Sequence, residues 1–170
     1  DVCYQNQNVK IVGMGSGTSW HTLGPSHHTT EDIAVLRAIP NLVVLSPSTP
    51  LQAVACVKSA YKHIGPVYLR LGMSGEREFY TPEAVVEIGG CSQLTDGSDI
   101  AIFATGSILS EVMDAQELLK AENHSAAVFD MYSIKPINRQ QILMAAEEYK
   151  YLVSVEEHNI IGGLGSAISE

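Results

Sequence analysis

Hydrophobic and polar positions along the chain alternate between two kinds of segment. Short runs rich in β-branched residues predict strands, and longer segments with apolar residues three or four positions apart predict helices. The predicted strands cover residues 9–12, 42–45, 67–71, 100–104, 127–131 and 152–155. Alternating strands and helices are typical of βαβ units and of a mainly parallel sheet.

The first predicted helix begins beside two adjacent histidines. Its buried face is predicted from apolar positions that end at a proline: Ile33, Leu36 and Ile39, followed by Pro40. Thr29 is predicted to cap this helix, and Asp32, three residues later, to reach back as in a capping box. The positive end of the helix dipole would then lie beside His27 and His28, a place that suits polar recognition.

Three further helices are predicted from the same signals. The second begins after Ser48 or Thr49. Its apolar face is predicted to consist of Ala53, Val54, Val57 and Tyr61. The third covers about residues 108–121, and the fourth begins near Asn138, where Gln141 completes a capping box.

A glycine-rich segment divides the chain into two units. Residues 76–98 are predicted to be a linker that carries a short strand or hairpin, between a unit at 1–75 and a unit at 99–170. The fold class is therefore α/β, with two open and mainly parallel sheets. Both units are expected to be incomplete, since the first has no clear start and the second stops one turn into a helix. Half-built sheets leave apolar edges exposed, so the sequence predicts a fragment of a longer protein.

Composition excludes several classes of function. A chain of 170 residues with 45% hydrophobic and 17% charged residues is ordinary for a globular protein. A net charge of -9 argues against nucleic-acid binding, which needs clustered basic residues. The ten lysines and arginines of this chain are scattered along the sequence. The three cysteines lie far apart, which predicts neither a disulfide framework nor a zinc site and fits a reducing cytoplasm. No run of about eighteen apolar residues occurs, so no membrane partner is expected.

Two glycine-rich segments each allow a functional and a structural interpretation. Residues 13–17 follow a strand, as a dinucleotide-binding loop does, but no helix begins at 18–22, which favours a tight bend. Glu156, Glu157 and His158 precede the glycine-rich residues 162–166, where backbone N–H groups can bind an anion. Close packing of helix on strand is the more common reason for such glycines. The roles of these three polar residues stay open.

The third candidate site combines the two histidines with Arg70. Ligands of open α/β sheets collect beyond the carboxyl ends of the strands, where His27, His28 and Arg70 can meet. Imidazoles bind hydroxyl groups and a guanidinium suits a phosphate, so this pattern indicates a sugar phosphate. The alternative is a helix-capping histidine pair beside an ordinary salt-bridged arginine. A metal site is not predicted, because adjacent histidines cannot easily face one ion.

Four motifs in register resemble the C-terminal part of transketolases, the thiamine diphosphate enzymes, over nearly all of the chain. Gly24-Pro25-Ser26-His27, within residues 24–47, is similar to the Gly-Pro-Thr-His motif of their pyrimidine-binding domain. Residues 65–70 resemble the last strand of that domain. Three further segments resemble the family's Rossmann-like C-terminal domain in order and spacing: residues 99–107, 130–136 and 155–166.

The resemblance implies transfer of a two-carbon ketol group from a ketose phosphate to an aldose phosphate, as in the pentose phosphate pathway. By motif match His27 is the catalytic residue, which hydrogen-bonds the donor hydroxyls or a developing oxyanion. Arg70 is expected to hold the substrate phosphate. His21 lies where many members have a second substrate histidine, and His28 replaces a common glutamine. Leu23 and Leu69 depart from the family pattern, which leaves the donor sugar open.

The resemblance also implies groups that this sequence does not supply. Thiamine diphosphate and Mg²⁺ are bound mainly by other regions of the family, including a glutamate upstream and a Gly-Asp-Gly motif, so this chain alone is expected to be inactive. A homodimer or a heterotetramer with a diphosphate-binding domain or subunit is expected. The alternatives are a deoxyxylulose phosphate synthase, an oxo-acid dehydrogenase β-subunit, and a non-catalytic scaffold or regulatory subunit.

Overall fold

Two four-stranded sheets form in residues 1–73 and 75–170, the part of the chain that the computed structural model describes. The strands are β1 (Lys10–Met14), β2 (Val43–Leu45), β3 (Val67–Leu71), β4 (Ser92–Thr95), β5 (Ile100–Ala104), β6 (Ala126–Asp130), β7 (Ser133–Lys135) and β8 (Tyr151–Val155). The α-helices are α1 (Asp32–Ala38), α2 (Pro50–Lys62), α3 (Leu109–Ala121), α4 (Arg139–Glu148) and α5 (Leu164–Ser169). The predicted α/β class is confirmed.

The first sheet has the order β1-β3-β2-β7. Strands β1, β3 and β2 run parallel, and β7 pairs antiparallel with β2. Strand β7 was not predicted, because three residues that include a serine and a lysine carry no alternating apolar signal. It completes the first sheet although it lies within residues 99–170, the predicted second unit.

The second sheet has the order β4-β6-β5-β8. Strands β6, β5 and β8 run parallel, and β4 pairs antiparallel with β6. Strand β4 is a short strand inside the predicted linker, as expected there. Each sheet is therefore mainly parallel with one antiparallel edge strand.

Helix α1 begins where the sequence predicted, but the predicted side chains do not cap it. Its N-cap residue is Glu31, whose side chain makes no capping hydrogen bond. Thr29 Oγ1 donates to the carbonyl oxygen of Gly15 (3.4 Å), and the Asp32 carboxylate accepts from Arg70 (2.9 Å). The predicted capping box is wrong, because both side chains are drawn into contacts with distant residues. The predicted buried face is confirmed, with Ile33 fully buried.

Helix α2 buries a different face from the one predicted. Thr49 Oγ1 accepts from Gln52 N (3.3 Å), which confirms one of the two predicted caps. The side chains that α2 buries are Gln52, Ala55, Cys56 and Ala60. Val54, Val57 and Tyr61 are exposed by 51%, 48% and 85%. Small side chains let α2 lie close to the sheet, so close approach outweighs the larger hydrophobic stripe.

One apolar cluster packs between the two sheets. It contains Ile33, Leu42 and Val44 from the first unit together with Phe103, Phe129 and Leu164 from the second. The rings of Phe103 and Phe129 stack with centroids 5.1 Å apart. The two units therefore share a core.

The outer strands of both sheets expose apolar side chains, as expected for sheets with open edges. Val12 and Met14 are exposed on β1, and Tyr151 and Val153 on β8. Among the described residues, no helix combines the length and the apolar character that crossing a membrane requires.

Candidate functional site

The loop between β1 and α1, residues 15–31, carries the three histidines that the sequence singled out, and we call it the histidine loop. Gly15 and Gly17 begin it with φ angles of +79° and +60°, which favour glycine. Two short 3₁₀ turns follow, at His21–Leu23 and Pro25–His27. Thr29 N donates to the carbonyl oxygen of Gly17 (2.9 Å) and closes the loop. The glycines therefore form the tight bend that the sequence favoured.

The three histidines occupy different environments in this loop. His27 is exposed, and its Nδ1 lies 3.1 Å from Ser26 Oγ. His21 is exposed beside an open cleft. His28 is half-buried, and its buried Nε2 has no hydrogen-bond partner among the described residues. The loop thus presents imidazoles to solvent while one ring nitrogen points inward.

Arg70 lies beneath the histidine loop in a buried ion pair. Its side chain is only 1% exposed, and its Nε donates to Asp32 Oδ2 (2.9 Å). Its Nη2 donates to the carbonyl oxygens of Thr29 (3.0 Å) and Glu157 (3.1 Å). The structure therefore brings Arg70 to the loop's backbone, and its contact with a substrate phosphate stays a prediction.

Tyr68 shares the carboxylate that binds Arg70. Its hydroxyl donates to Asp32 Oδ2 (3.2 Å). Burial, and next the charge of Asp32, raise the pKa of Tyr68 to about 12, so the phenol stays protonated as a donor. Sequence reasoning missed Asp32 and Tyr68 as partners of this site, because no local pattern joins residues that lie 36 positions apart.

Glu157 and His158 follow β8 and reach into the first unit. The Glu157 carboxylate accepts from Thr18 N (3.2 Å) and the Thr18 hydroxyl, and its other oxygen accepts from Ser107 Oγ (2.8 Å). His158 Nε2 accepts from Ala34 N (3.3 Å) in the first turn of α1. Its Nδ1 lies 2.8 Å from the carbonyl oxygen of Asn159, which fits the neutral ring with the proton on Nδ1.

At the start of α5 the chain's own Glu156 occupies the backbone N–H groups, which agrees with the structural interpretation of residues 162–166 that the sequence favoured over anion binding. Its carboxylate accepts from Leu164 N (2.6 Å) and Gly165 N (2.9 Å). A Cβ at Gly163 would lie 2.3 Å from a carboxylate oxygen of Glu156, so a larger residue there would displace this carboxylate. These backbone N–H groups therefore bind a side chain of the same chain and stabilise the fold.

A cleft of about 640 Å³ opens beside the histidine loop. It lies between the two units and is lined by residues that include Thr18, His21, Arg77, Ser107, Asp114 and Glu157. Arg77 and Asp114 form an exposed ion pair at 2.6 Å. In residues 1–73 and 75–170, no group of three or more His, Cys, Asp or Glu could hold a metal ion. The side chains of the described residues therefore offer no set of ligands that fits Mg²⁺.

Comparison with known proteins identifies both units. Residues 1–74 match the model of the transketolase pyrimidine binding domain, and residues 89–170 match that of the transketolase C-terminal domain. The chain is 36% identical over 170 residues to an apulose-4-phosphate transketolase subunit of Actinobacillus succinogenes, a match that covers 100% of this chain and 55% of the relative. It is 34% identical over 174 residues to 1-deoxy-D-xylulose-5-phosphate synthase of Cytophaga hutchinsonii, a match that covers 100% of this chain and 27% of that protein.

A solved structure shares the whole fold. It is described as a split gene transketolase in an inactive beta4 tetramer, and it matches with a TM-score of 0.91 and 39% sequence identity. The match covers 99% of this chain and 54% of that one. The chain thus spans about half the length of the transketolase subunits it matches. The pyrimidine-binding domain implies use of thiamine diphosphate, and the relatives are transferase-type enzymes. With both of its units matched in order to transketolase domains, the chain belongs to the transketolase family.

Proposed function

We propose that this chain is part of a transketolase that transfers a two-carbon ketol group from a ketose phosphate to an aldose phosphate. The observation that carries the proposal is the match of the whole chain to a transketolase subunit, at 36% identity over 170 residues. That relative is named for apulose 4-phosphate and another for 6-deoxy-6-sulfo-D-fructose, so the donor need not belong to the pentose phosphate pathway. A cytoplasmic location fits three cysteines that lie far apart in the sequence.

The active form that we propose is a homodimer or a heterotetramer with a diphosphate-binding domain or subunit. Support comes from the coverage of about half of each transketolase subunit it matches and from the split-gene structure that shares the fold. Mg²⁺ and the cofactor diphosphate belong to that partner region in this proposal, which the match of this chain to a pyrimidine-binding and a C-terminal domain supports. Thiamine diphosphate, when bound, supplies the carbanion and the electron sink for breaking a carbon–carbon bond.

In this proposal His27 contacts the donor sugar. Ser26 Oγ lies beside its Nδ1, so Nε2 is the ring atom left, among the described contacts, to bond a hydroxyl. A proton held on Nε2 would stabilise negative charge as it develops on the donor oxygen. His21 and His28 lie on the same loop and are proposed as further substrate-binding residues. The exposure of His27 and His21 supports these roles.

The test is turnover of the complete enzyme with xylulose phosphate and ribose phosphate. Replacing His27 with alanine is expected to lower kcat by about 100-fold, the usual effect of losing one group that stabilises charge in the transition state. His124→Ala is the matched control, because His124 is exposed and remote in sequence from the histidine loop. Wild-type turnover by the His27 variant would remove His27 from the site.

Turnover assays with other substrates separate the alternative functions. Consumption of pyruvate with a triose phosphate, without ketol transfer, would favour a deoxyxylulose phosphate synthase, which the similarity to that enzyme makes worth measuring. No turnover by the wild-type complex with a panel of ketose phosphate donors, apulose 4-phosphate included, or with pyruvate and a triose phosphate, would favour a scaffold or regulatory role.

A further inference from the structure

Three consecutive residues after β8 contact the two ends of the histidine loop and the first turn of α1, and we call Glu157, His158 and Asn159 the interdomain clamp. Glu157 belongs to the second unit and binds Thr18, just after the glycine bend that opens the loop. A Cβ at Gly17 would lie 2.3 Å from the Glu157 Cβ, which shows how closely the two backbones approach. The entry to the histidine loop is therefore fixed against the second unit.

The exit of the loop is held by the other two residues of the clamp. Asn159 donates twice to the carbonyl oxygen of Thr30, from its backbone N (3.0 Å) and from its Nδ2 (2.9 Å). His158 Nε2 accepts from Ala34 N, a first-turn N–H group that has no partner within its own helix. His21, His27 and His28 lie between these two anchored points.

The loop has little structure of its own to fix its geometry. Its two 3₁₀ turns are three residues each and contain no buried residue. A segment with few buried apolar contacts depends on hydrogen bonds, both within itself, as from Thr29 N to the carbonyl oxygen of Gly17, and to its surroundings. Bonds to the Glu157 carboxylate are charge-assisted, which makes them stronger and more directional than bonds between neutral groups.

We propose that the interdomain clamp positions the histidine loop, so that the second unit sets the geometry of a substrate site whose side chains belong to the first. The inference rests on the proposed function, because it gives the loop a substrate to orient. Glu157, His158 and Asn159 are positioning residues in this proposal, since their contacts are to Thr18, Ala34 and Thr30.

Loss of the clamp is expected to lower kcat more than it changes KM. A displacement of about 1 Å in a positioned group can cost about 100-fold in rate, while ground-state binding by other contacts persists. For Glu157→Ala in the complete enzyme we therefore expect kcat to fall by about 10- to 100-fold. Glu157→Gln is expected to stay within about threefold of the wild type, because the amide oxygen still accepts from Thr18 and the Ser107 hydroxyl can reverse its bond.

The experiment measures two properties of the complete enzyme for each variant. The first is kcat and KM, and the second is hydrogen exchange of backbone amides at residues 18–34. Glu157→Ala and His158→Ala are expected to speed exchange in this segment, and Glu157→Gln to restore slow exchange. Glu147→Ala is the matched control, since Glu147 is an exposed glutamate on α4.

Each result decides the inference. Unchanged exchange at 18–34 in Glu157→Ala would show that the clamp does not hold the loop. Faster exchange with wild-type kcat would show that holding the loop does not position the site. If the wild-type complex transfers no ketol group, the proposed function fails, and the exchange measurements still show whether the clamp fixes the loop.

Discussion

Arg70 shows how burial changes what a charged residue can do. Its place near the end of a strand suggested a phosphate ligand, yet its guanidinium is 1% exposed and bonded to Asp32, Thr29 and Glu157. A buried arginine with an ionic partner leaves that partner unpaired when it is removed. We therefore expect Arg70 to act mainly on the shape of the histidine loop.

Arg70→Ala is expected to lower the free energy of unfolding by about 3–5 kcal/mol, because Asp32 loses its buried partner. In the complete enzyme, an equal loss with phosphorylated and unphosphorylated donors would show that Arg70 acts on the shape of the loop alone. Chemical denaturation and kcat/KM with both kinds of donor measure these effects. Arg77→Ala is the control, since its exposed ion pair is worth at most about 1 kcal/mol. A much larger rise in KM for phosphorylated donors would instead support the phosphate contact.

Asp130 is a second buried charge, at the end of β6. Its Oδ2 accepts from Ser48 Oγ (2.5 Å), Gln52 Nε2 (2.8 Å) and Tyr80 Oη (2.7 Å). Burial raises the pKa of Asp130 from 3.8 to about 6, although these three hydrogen bonds lower it. The folded protein therefore binds a proton at this carboxyl more tightly than the unfolded chain does.

The free energy of unfolding should depend on pH through Asp130. Its folded pKa lies above the unfolded value, so the stability gained by protonation is fully present below about pH 4 and is lost as the pH rises through about 6. The side chain of the Asp130→Asn variant cannot ionise. Between pH 4 and 8, the free energy of unfolding of the wild type should therefore fall by about 3 kcal/mol relative to that of the variant. Urea denaturation across this range measures the shift. A difference that is constant with pH would contradict the assignment.

At the scale of elements, α2 shows that an apolar stripe does not by itself identify the buried face. The sequence places Val54, Val57 and Tyr61 on one stripe, yet small residues on another face pack against β3. Small side chains permit a short distance between helix and sheet, which brings Cys56 and Ala60 into full burial. Helical periodicity predicted the position of α2 correctly, but it predicted the wrong buried face.

A pair of substitutions tests this orientation of α2. Val57→Ser is expected to change the free energy of unfolding by about 0.5 kcal/mol or less, because the side chain is 48% exposed. Ala60→Leu is expected to cost about 1–3 kcal/mol, because its added volume enters a packed core. Thermal or urea unfolding of both variants measures the difference. The reverse order of effects would restore the face predicted from the sequence.

At the scale of the whole molecule, the shared core joins the two units. Phe103 and Phe129 stack in a cluster that includes Ile33 and Val44 from the first unit, and β7 passes from the second unit into the first sheet. Contacts that cross between units make their unfolding cooperative. The two units are thus expected to behave as one body.

Two probes should therefore report one unfolding transition. Trp20, the single tryptophan, reports on the first unit, and far-UV circular dichroism reports on both. We expect the urea transitions followed by the two probes to coincide. Phe129→Ala should lower the free energy of unfolding that each probe reports by about 3–5 kcal/mol. Leu118→Ala is a suitable control, because Leu118 is 70% exposed on α3. Separate midpoints for the two probes would show that the shared core does not couple the units.

The sequence by itself determined most of the helices and strands and pointed to the family. Strands β3 and β5 have the predicted bounds, because β-branched runs beside glycine, proline or aspartate are local signals. The motif around His27 and the segments at 99–107 and 130–136 likewise lie within short stretches of chain, so a resemblance to transketolases could be seen without coordinates.

Only the tertiary structure decided how these elements meet. The sheet that β7 joins, the buried face of α2, the burial of Arg70 and the contacts of Glu157 with Thr18 depend on residues far apart, the last pair by 139 positions. Such pairs leave no periodic pattern in the sequence. Which partner a buried polar side chain finds is set by the packing of the complete fold, since each such group must be satisfied by whatever donor or acceptor lies beside it.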